Sequence, residues 1–456
     1  MNIDSMNKGE INLPRKRIAS ARALRNSGVQ WLGNVPIDWS QKRLKFAVQL
    51  VNHKAGAAGS ELPYVGMENI KSATGQLIAG SPEDSADGLS NSFRLDDVLF
   101  GKLRPYLAKV LHANSDGLCS SELLVMRPRD VLPRFLLYYC LSTEFIRVVD
   151  SSTYGSKMPR ASWQFIGNLP VLVPPFDEQR EIAAFLDREC ARVDELIGKK
   201  LELLSRLKEK TASQISFVLT HGITSLDASR RLKPAGVAWL NDIPEHWGMV
   251  PIKYLAEVGN GSTPSRENPE YWDDGRFPWL NSSVVNLESV TEATEHVSDL
   301  AMKECHLPRI KPPAVLVGIT GEGRTRGMAT TLLFEATINQ HMAYLRPKAS
   351  RCSVSFLRRI LDLAYQFLRD ESDGGGSTKG AITCEQLKNL RIPLPPLEEQ
   401  LDIVMHLELH EKRMSSLMSK VVQAVDNLQR LRASLITTVV TGQIDIRNFR
   451  PEAPCQ

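Results

Sequence analysis

This chain repeats itself, and the repeat constrains its fold more than any other feature. Gly28-Val29-Gln30-Trp31-Leu32 returns as Gly236-Val237-Ala238-Trp239-Leu240, and Pro36 and Trp39 return as Pro244 and Trp247, all at one offset of 208 residues. A basic-apolar run follows each copy, Arg43-Leu44-Lys45-Phe46 and Pro251-Ile252-Lys253-Tyr254. Further in, Leu62-Pro63-Tyr64-Val65 corresponds to Phe277-Pro278-Trp279-Leu280, and Val98-Leu99-Phe100-Gly101 to Val315-Leu316-Val317-Gly318. Leu124-Val125-Met126-Arg127-Pro128 likewise matches Ala343-Tyr344-Leu345-Arg346-Pro347. Such short β-branched and aromatic runs, bounded by Gly, Pro and Asn, read as strands. Segments 133–149 and 354–370 carry helical spacing. Each half is therefore expected to mix α and β, with strands outnumbering helices, and 456 residues suffice for two or three such domains.

Both halves end alike. Pro174-Pro175-Phe176-Asp177-Glu178-Gln179 becomes Pro395-Pro396-Leu397-Glu398-Glu399-Gln400, an offset of 221 residues. Paired prolines cannot continue a strand or sit inside a helix, and acidic residues suit a first helical turn. Each motif is expected to open a long helix. A 3-4 spacing runs through Ile182, Leu186, Val193, Leu196, Leu203, Leu207 and Phe217, interrupted by Glu189, Lys200, Lys210 and Gln214. The same register gives Ile403, Leu407, Met414, Leu417, Val421, Ala424, Leu428, Leu431 and Leu435, with His410 out of pattern. A seam sustained over about five heptads predicts a coiled coil, with the two helices as antiparallel partners. The competing reading is an amphipathic helix packed on its own domain. About 44 residues would span some 65 Å at about 1.5 Å each, more than one small domain needs. Gly198 and Lys200 weaken the first seam.

Composition narrows the function classes. A hydrophobic content of 42% and a charged content of 24% are those of an ordinary globular protein, and a net charge of +4 points only weakly to nucleic acid. The seven cysteines form no CxxC pair and sit at no zinc-ligand spacing to a histidine pair, so reduced, mostly buried thiols are expected. The nine histidines form no ligand cluster by spacing. No apolar h-region follows the basic N-terminus and no apolar run reaches about 18 residues, so a soluble, cytoplasmic protein is expected.

Two similar heads on paired helices could touch two short sequences on one face of a duplex, separated by an unread gap. Loop-like segments supply polar side chains for such contacts. In the first half these are Lys102, Arg104, Lys109, Tyr154, Ser156, Lys157 and Arg160; in the second, Arg266, Arg276, Arg324, Arg326, Ser377, Thr378 and Lys379. Lysine and arginine bind phosphates, and arginine can hold guanine bidentately. For any one of them the plainer reading is a solvated surface charge.

Three segments resemble catalytic motifs and fall short. Gly318-Ile319-Thr320-Gly321-Glu322-Gly323-Arg324-Thr325 has the glycines of a phosphate loop, but arginine stands where lysine is required. It reads instead as a tight turn presenting Arg324 and Arg326. Asp373-Gly374-Gly375-Gly376-Ser377-Thr378-Lys379 is a polar, glycine-rich loop able to approach a phosphate or simply to connect. Val173-Pro174-Pro175-Phe176 looks like the amino-methyltransferase motif, with Val173 in place of the essential Asn or Asp.

The G-V-x-W-L…P-x-x-W openings and the PP-x-[DE]-E-Q helix starts, in duplicate and in order from Gly28 to about Ile444, resemble the specificity subunit of type I restriction-modification systems. That resemblance implies an α/β (α+β) fold of two mixed target recognition domains, separated by two long antiparallel coiled-coil helices with an internal pseudo-two-fold repeat. It implies recognition domains at 28–175 and 223–396, spacer helices at 176–222 and 397–442, and a tail at 443–456; a basic N-terminal arm at 1–27 lies outside the repeat. It further implies a non-catalytic chain that binds a bipartite, asymmetric double-stranded DNA target. Two methyltransferase (modification) subunits and restriction (motor-nuclease) subunits would then carry out adenine methylation and cleavage. S-adenosylmethionine, ATP and magnesium would belong to those partners, with no cofactor or metal in this chain. The alternatives are a helical scaffold that joins partners without reading DNA, and an Arg-loop nucleotidase.

Overall fold

The structure, a computed structural model, describes residues 22–56, 62–78, 89–223, 231–321, 323–373 and 380–448. The chain forms two compact units, residues 1–202 with 421–456, and residues 203–420. Both boundaries fall inside long helices, Phe176–His221 and Leu397–Val440, of 46 and 44 residues.

In the first unit, strands Val48–Val51, Leu123–Pro128, Val98–Gly101 and Val110–His112 form an antiparallel sheet in that order. A second sheet orders Lys54–Gly56, Leu89–Phe93, Gly117–Cys119 and Tyr64–Val65, the last two strands running parallel. The second unit repeats this plan. Ala256–Asn260, Met342–Pro347, Ala314–Gly318 and Ala329–Leu332 take the same order, and Ser289–Val290 adds a parallel edge strand. Its smaller sheet again joins two parallel strands, Phe277–Leu280 and Thr337–Ile338. Runs such as Val98–Gly101 and Ala314–Gly318 are buried throughout, because each sheet is covered on both faces.

The helical segment expected in each half is two helices. Pro133–Leu141 ends at Ser142, whose extended backbone breaks the helix and whose hydroxyl donates to the Tyr139 carbonyl at 2.7 Å. Thr143–Ser151 follows. Val354–Leu363 and Tyr365–Asp373 repeat the arrangement about Ala364. Phe135, Leu136 and Tyr139, like Phe356, Leu357 and Ile360, turn inward at helical spacing and are fully buried.

The repeated motifs prove to be brackets. Trp39 donates its indole N–H to Glu178 at 2.9 Å, and Trp247 donates to Glu399 at 3.1 Å. The opening and closing motifs of each half are thus bonded to one another. Gln179 and Gln400, both fully buried, do the second part. The Gln179 amide accepts from the Leu132 N–H at 2.7 Å and donates to the Pro174 carbonyl at 2.8 Å. The Gln400 amide accepts from the Ser353 N–H at 2.9 Å and donates to the Pro395 and Arg351 carbonyls at 2.9 and 3.0 Å. Each glutamine fixes the start of its long helix to the start of the broken helix pair. Arg22, from the basic segment outside the repeat, is tied down by Asp38 and Glu178 and lies 5.1 Å from the Trp39 ring.

Within the first unit, Ile182, Phe185 and Leu186 of the first long helix share a core with Ile436, Val439 and Val440 of the second. Within the second unit, Leu219 shares a core with Ile403, Val404 and Leu407. In each unit the start of one long helix therefore meets the end of the other, an antiparallel pairing. The expected seam is buried at Ile182, Leu186, Val193, Ile403, Leu407 and Val421. It gives way at Leu196, Leu203 and Leu417, which are 38%, 40% and 44% exposed, and at Phe217, which stacks on His221 instead. Ile182, Leu186, Ile403 and Leu407 are buried where each helix packs into a globular core, whereas Leu196, Leu203 and Leu417 lie in mid-helix, outside those cores.

Candidate nucleic-acid interface

In the first unit the structure brings the sequence-predicted residues together from two loops. The Lys102 N–H donates to the Glu122 carbonyl at 3.0 Å, the Ala161 N–H to the Lys102 carbonyl at 2.9 Å, and the Arg104 N–H to the Pro159 carbonyl at 2.7 Å. Tyr154 and Arg160 exchange backbone bonds at 3.1 and 3.0 Å, making 153–161 a short hairpin pinned on 102–104. Arg104 adopts a left-handed backbone with φ of 50° ahead of Pro105. For a residue with a Cβ this is strained by about 1–3 kcal/mol and is held by those tertiary bonds. Its guanidinium reaches the Lys157 carbonyl at 3.4 Å. Arg104, Tyr154, Ser156 and Lys157 are exposed. Arg160 is half-buried and paired with Glu122 at 3.1 Å. Lys109 does not face solvent as expected: its ammonium donates to the Met67 carbonyl at 2.6 Å, holding two loops together. Sequence reading missed Tyr106 and Met158, which are 55% and 49% exposed beside this cluster. An aromatic ring and a soft thioether left in water next to exposed cations suit stacking or groove contact.

In the second unit the loop 319–327 leaves and rejoins neighbouring antiparallel strands. Gly318 receives the Gly327 N–H at 2.8 Å and donates to the Met328 carbonyl at 3.0 Å. A Cβ on Gly318 would lie 2.3 Å from the Thr325 carbonyl oxygen, so only glycine closes this loop. No helix opens after it, which disposes of the phosphate-loop resemblance. The helix Tyr365–Asp373 clamps it from beneath. Tyr365 donates to the Arg324 carbonyl at 3.0 Å, and Arg369 to the Gly323 and Arg326 carbonyls at 2.6 and 3.2 Å. Arg324 is exposed at the tip, and its guanidinium makes no ion pair among the described residues. Arg326, expected beside it, is only 5% exposed and pairs with Asp373 at 2.7 Å. The loop turns its side chain into the protein, where Gly380 packs against the guanidinium.

Arg266 lies 3.7 Å from the Trp272 ring centroid and 5.1 Å from that of Trp279, and pairs with Glu295 at 2.5 Å. Arg276 is exposed. Ser377, Thr378 and Lys379 lie outside the described residues. A further polar group, unnoticed in the sequence, joins Gln340 and His341, from the turn before the strand Met342–Pro347, to Thr263 and Thr320 from two other loops. The one available signal was position, since Gln340-His341 precedes a repeated strand just as Ser121-Glu122 does in the first half.

Among the described residues no group of three or more His, Cys, Asp or Glu could hold a metal ion, and no helix is long and apolar enough to cross a membrane. Burial pushes the thiols of Cys119 and Cys352 up to about 12 and that of Cys190 to about 11, so none is a ready nucleophile.

The model of the type I restriction modification DNA specificity domain matches residues 52–206 and 244–426, once in each repeat. The chain belongs to that family. Relatives agree in kind. The chain is 22% identical to the MjaVIII type I restriction enzyme specificity subunit of Methanocaldococcus jannaschii over 73% of its own length and 76% of that protein. It is 31% identical to the MjaIX specificity subunit of the same organism over 35% of its length and 37% of that protein. Its fold is shared with a chain of a solved type I restriction-modification assembly, with a TM-score of 0.66 over 90% of this chain and 99% of the other, at 22% identity. It is shared too with the HsdS subunit of Thermoanaerobacter tengcongensis, with a TM-score of 0.55 over 90% and 98%, at 21% identity. As a member of this family the chain is a DNA-specificity subunit, and it is not itself a catalyst.

Proposed function

We propose that each unit carries a target recognition domain reading one half of a bipartite, asymmetric duplex sequence, and that the paired long helices set the unread gap. The observation that carries this reading is the equivalent placement of two differently furnished loop clusters. Both units present the loop after one buried strand, Val98–Gly101 or Ala314–Gly318, beside the turn before its neighbour, Leu123–Pro128 or Met342–Pro347. The first cluster offers Arg104, Tyr154 and Lys157; the second offers Arg324, Gln340 and His341. Equal frames with unequal side chains suit two unequal half-sites. The chain works with two modification subunits and with restriction subunits, in the cytoplasm. S-adenosylmethionine, ATP and magnesium act on those partners, which perform adenine methylation and cleavage.

The test is an exchange. Replacing residues 40–170 with those of a relative of different specificity should change one half of the methylated sequence and leave the other half and the gap intact. An unchanged methylation pattern would favour the scaffold reading and defeat this one. Inserting one or two helical turns in the first long helix should lengthen the gap by whole base pairs.

A further inference from the structure

Gln340 is exposed, yet its amide is held at both ends. The Thr263 hydroxyl donates to its Oε1. Its Nε2 lies 3.2 Å from Nε2 of His341, whose Nδ1 lies 2.8 Å from the Thr320 hydroxyl. One protonation pattern satisfies the whole chain: neutral His341 carries its proton on Nδ1, donates to Thr320, and accepts from Gln340. The arrangement depends on a close approach of backbone. Ser262 N–H donates to the Ile338 carbonyl at 3.1 Å, and a Cβ at Gly261 would lie 1.7 Å from that oxygen. Gly261 therefore lets the segment bearing Thr263 pass over the turn bearing Gln340. Thr320 comes from the loop that ends in Arg324, and that loop is itself clamped by Tyr365 and Arg369.

Freezing a glutamine on a wet surface opposes its rotamer entropy, which favours leaving such a side chain loose. What the freezing leaves is informative. An amide has two N–H groups and two lone pairs on its oxygen; one of each is engaged, and one of each remains. A neighbouring donor and acceptor in one plane complement N7 and the N6 amino group of adenine in the major groove.

We propose that Gln340 is a specificity-determining residue of the second unit, reading adenine at one position of its half-site, with Thr263, His341 and Thr320 as positioning residues. This rests on the proposed function of that unit. The test uses the full chain reconstituted with the modification subunits of its system, and a library of duplexes randomised across both half-sites. Wild type, Gln340→Ala, Gln340→Glu and Thr263→Val are selected in parallel and the bound sequences counted.

Gln340→Ala should lower discrimination at a single base pair of one half-site by about five- to 150-fold and leave the other positions as they were. Gln340→Glu should turn that position toward cytosine, whose N4 amino group a carboxylate accepts. Thr263→Val, which keeps the amide but releases its oxygen end, should relax the same position by a smaller factor. If Gln340→Ala leaves every position as discriminating as before, or relaxes all positions equally, the inference is overturned while the recognition function stands. If the wild type selects no sequence, the recognition function itself falls.

Discussion

Arg432 of the second long helix lies 3.0 Å from Asp194 of the first, with 7% of its side chain exposed. The contact is an ion pair without hydrogen-bond alignment, because the Arg432 Nη atoms are turned to the Ala73 and Thr74 carbonyls at 2.7 and 3.1 Å. One guanidinium thus joins two helices and a loop of the recognition unit. Arg432→Ala removes the cation beside half-buried Asp194, which keeps a contact from Gln76 at 3.4 Å, and takes a donor from two carbonyls; it should destabilise the first unit by about 1–3 kcal/mol. Thermal unfolding followed by calorimetry reads this directly; a midpoint unchanged from wild type would show that the pairing is incidental.

The two bracketing glutamines should behave as a matched pair. Gln179→Leu and Gln400→Leu each preserve bulk while orphaning the same backbone groups at equivalent positions. Each buried group left unpaired costs about 1–3 kcal/mol, and each variant orphans at least two. Denaturant titration should show similar losses for both. A large loss in one half and none in the other would mean that the repeated motif does different jobs in the two units.

Cations that face water should be separable from cations that hold loops. Arg104→Ala, Lys157→Ala and Arg324→Ala should each lower the slope of log binding constant against log salt by about 1 without lowering the unfolding midpoint. Lys109→Ala and Arg326→Ala should do the reverse, since their side chains are engaged by Met67 and Asp373. Salt titrations of duplex binding, run beside melting curves, distinguish the two groups. A reduced slope in Lys109→Ala would place that residue on the DNA after all.

Stability should carry the mark of Asp362. Desolvation raises its carboxyl to about 6, against the opposing pull of Arg358 and Arg359. A carboxyl raised in the folded state contributes stability that is complete below its ordinary range near 4 and is lost as pH rises through about 6. Asp445 has the opposite sign: Arg447 holds it low, so its contribution is lost as pH falls. Asp362→Asn should flatten the decline between about 4 and 6 and leave the protein at least as stable as wild type at pH 8. A melting series across pH checks this, and a variant that keeps the wild-type slope in that window would remove Asp362 as its source.

Much of the architecture could be read from the chain because repetition and periodicity are local properties. The strands at 98–101 and 342–347, the long helices opening at Pro174-Pro175 and Pro395-Pro396, and the antiparallel helix pairing all stand where spacing put them. Single breaks within an apolar run were less legible. Ser142 and Ala364 each split one expected helix in two, since a residue already buried by its neighbours can take an extended or turned backbone without disturbing the hydrophobic pattern.

The sequence by itself determined that there are two similar units, that each runs into a long helix, and that the chain carries no recognisable catalytic motif. Those conclusions follow from the order and period of side chains, which any conformation inherits. Only the tertiary structure decided which polar residues are free to act. Arg324 and Arg326 are two residues apart in a loop of uniform polar character, yet one reaches solvent and the other is sealed against Asp373 and Gly380. Thr263, Thr320, Gln340 and His341 are scattered over 79 positions, from 263 to 341, and become one hydrogen-bonded group through backbone approach at Gly261. Whether a polar side chain is spent on the protein or left for a ligand depends on long-range partners, and a linear pattern does not contain them.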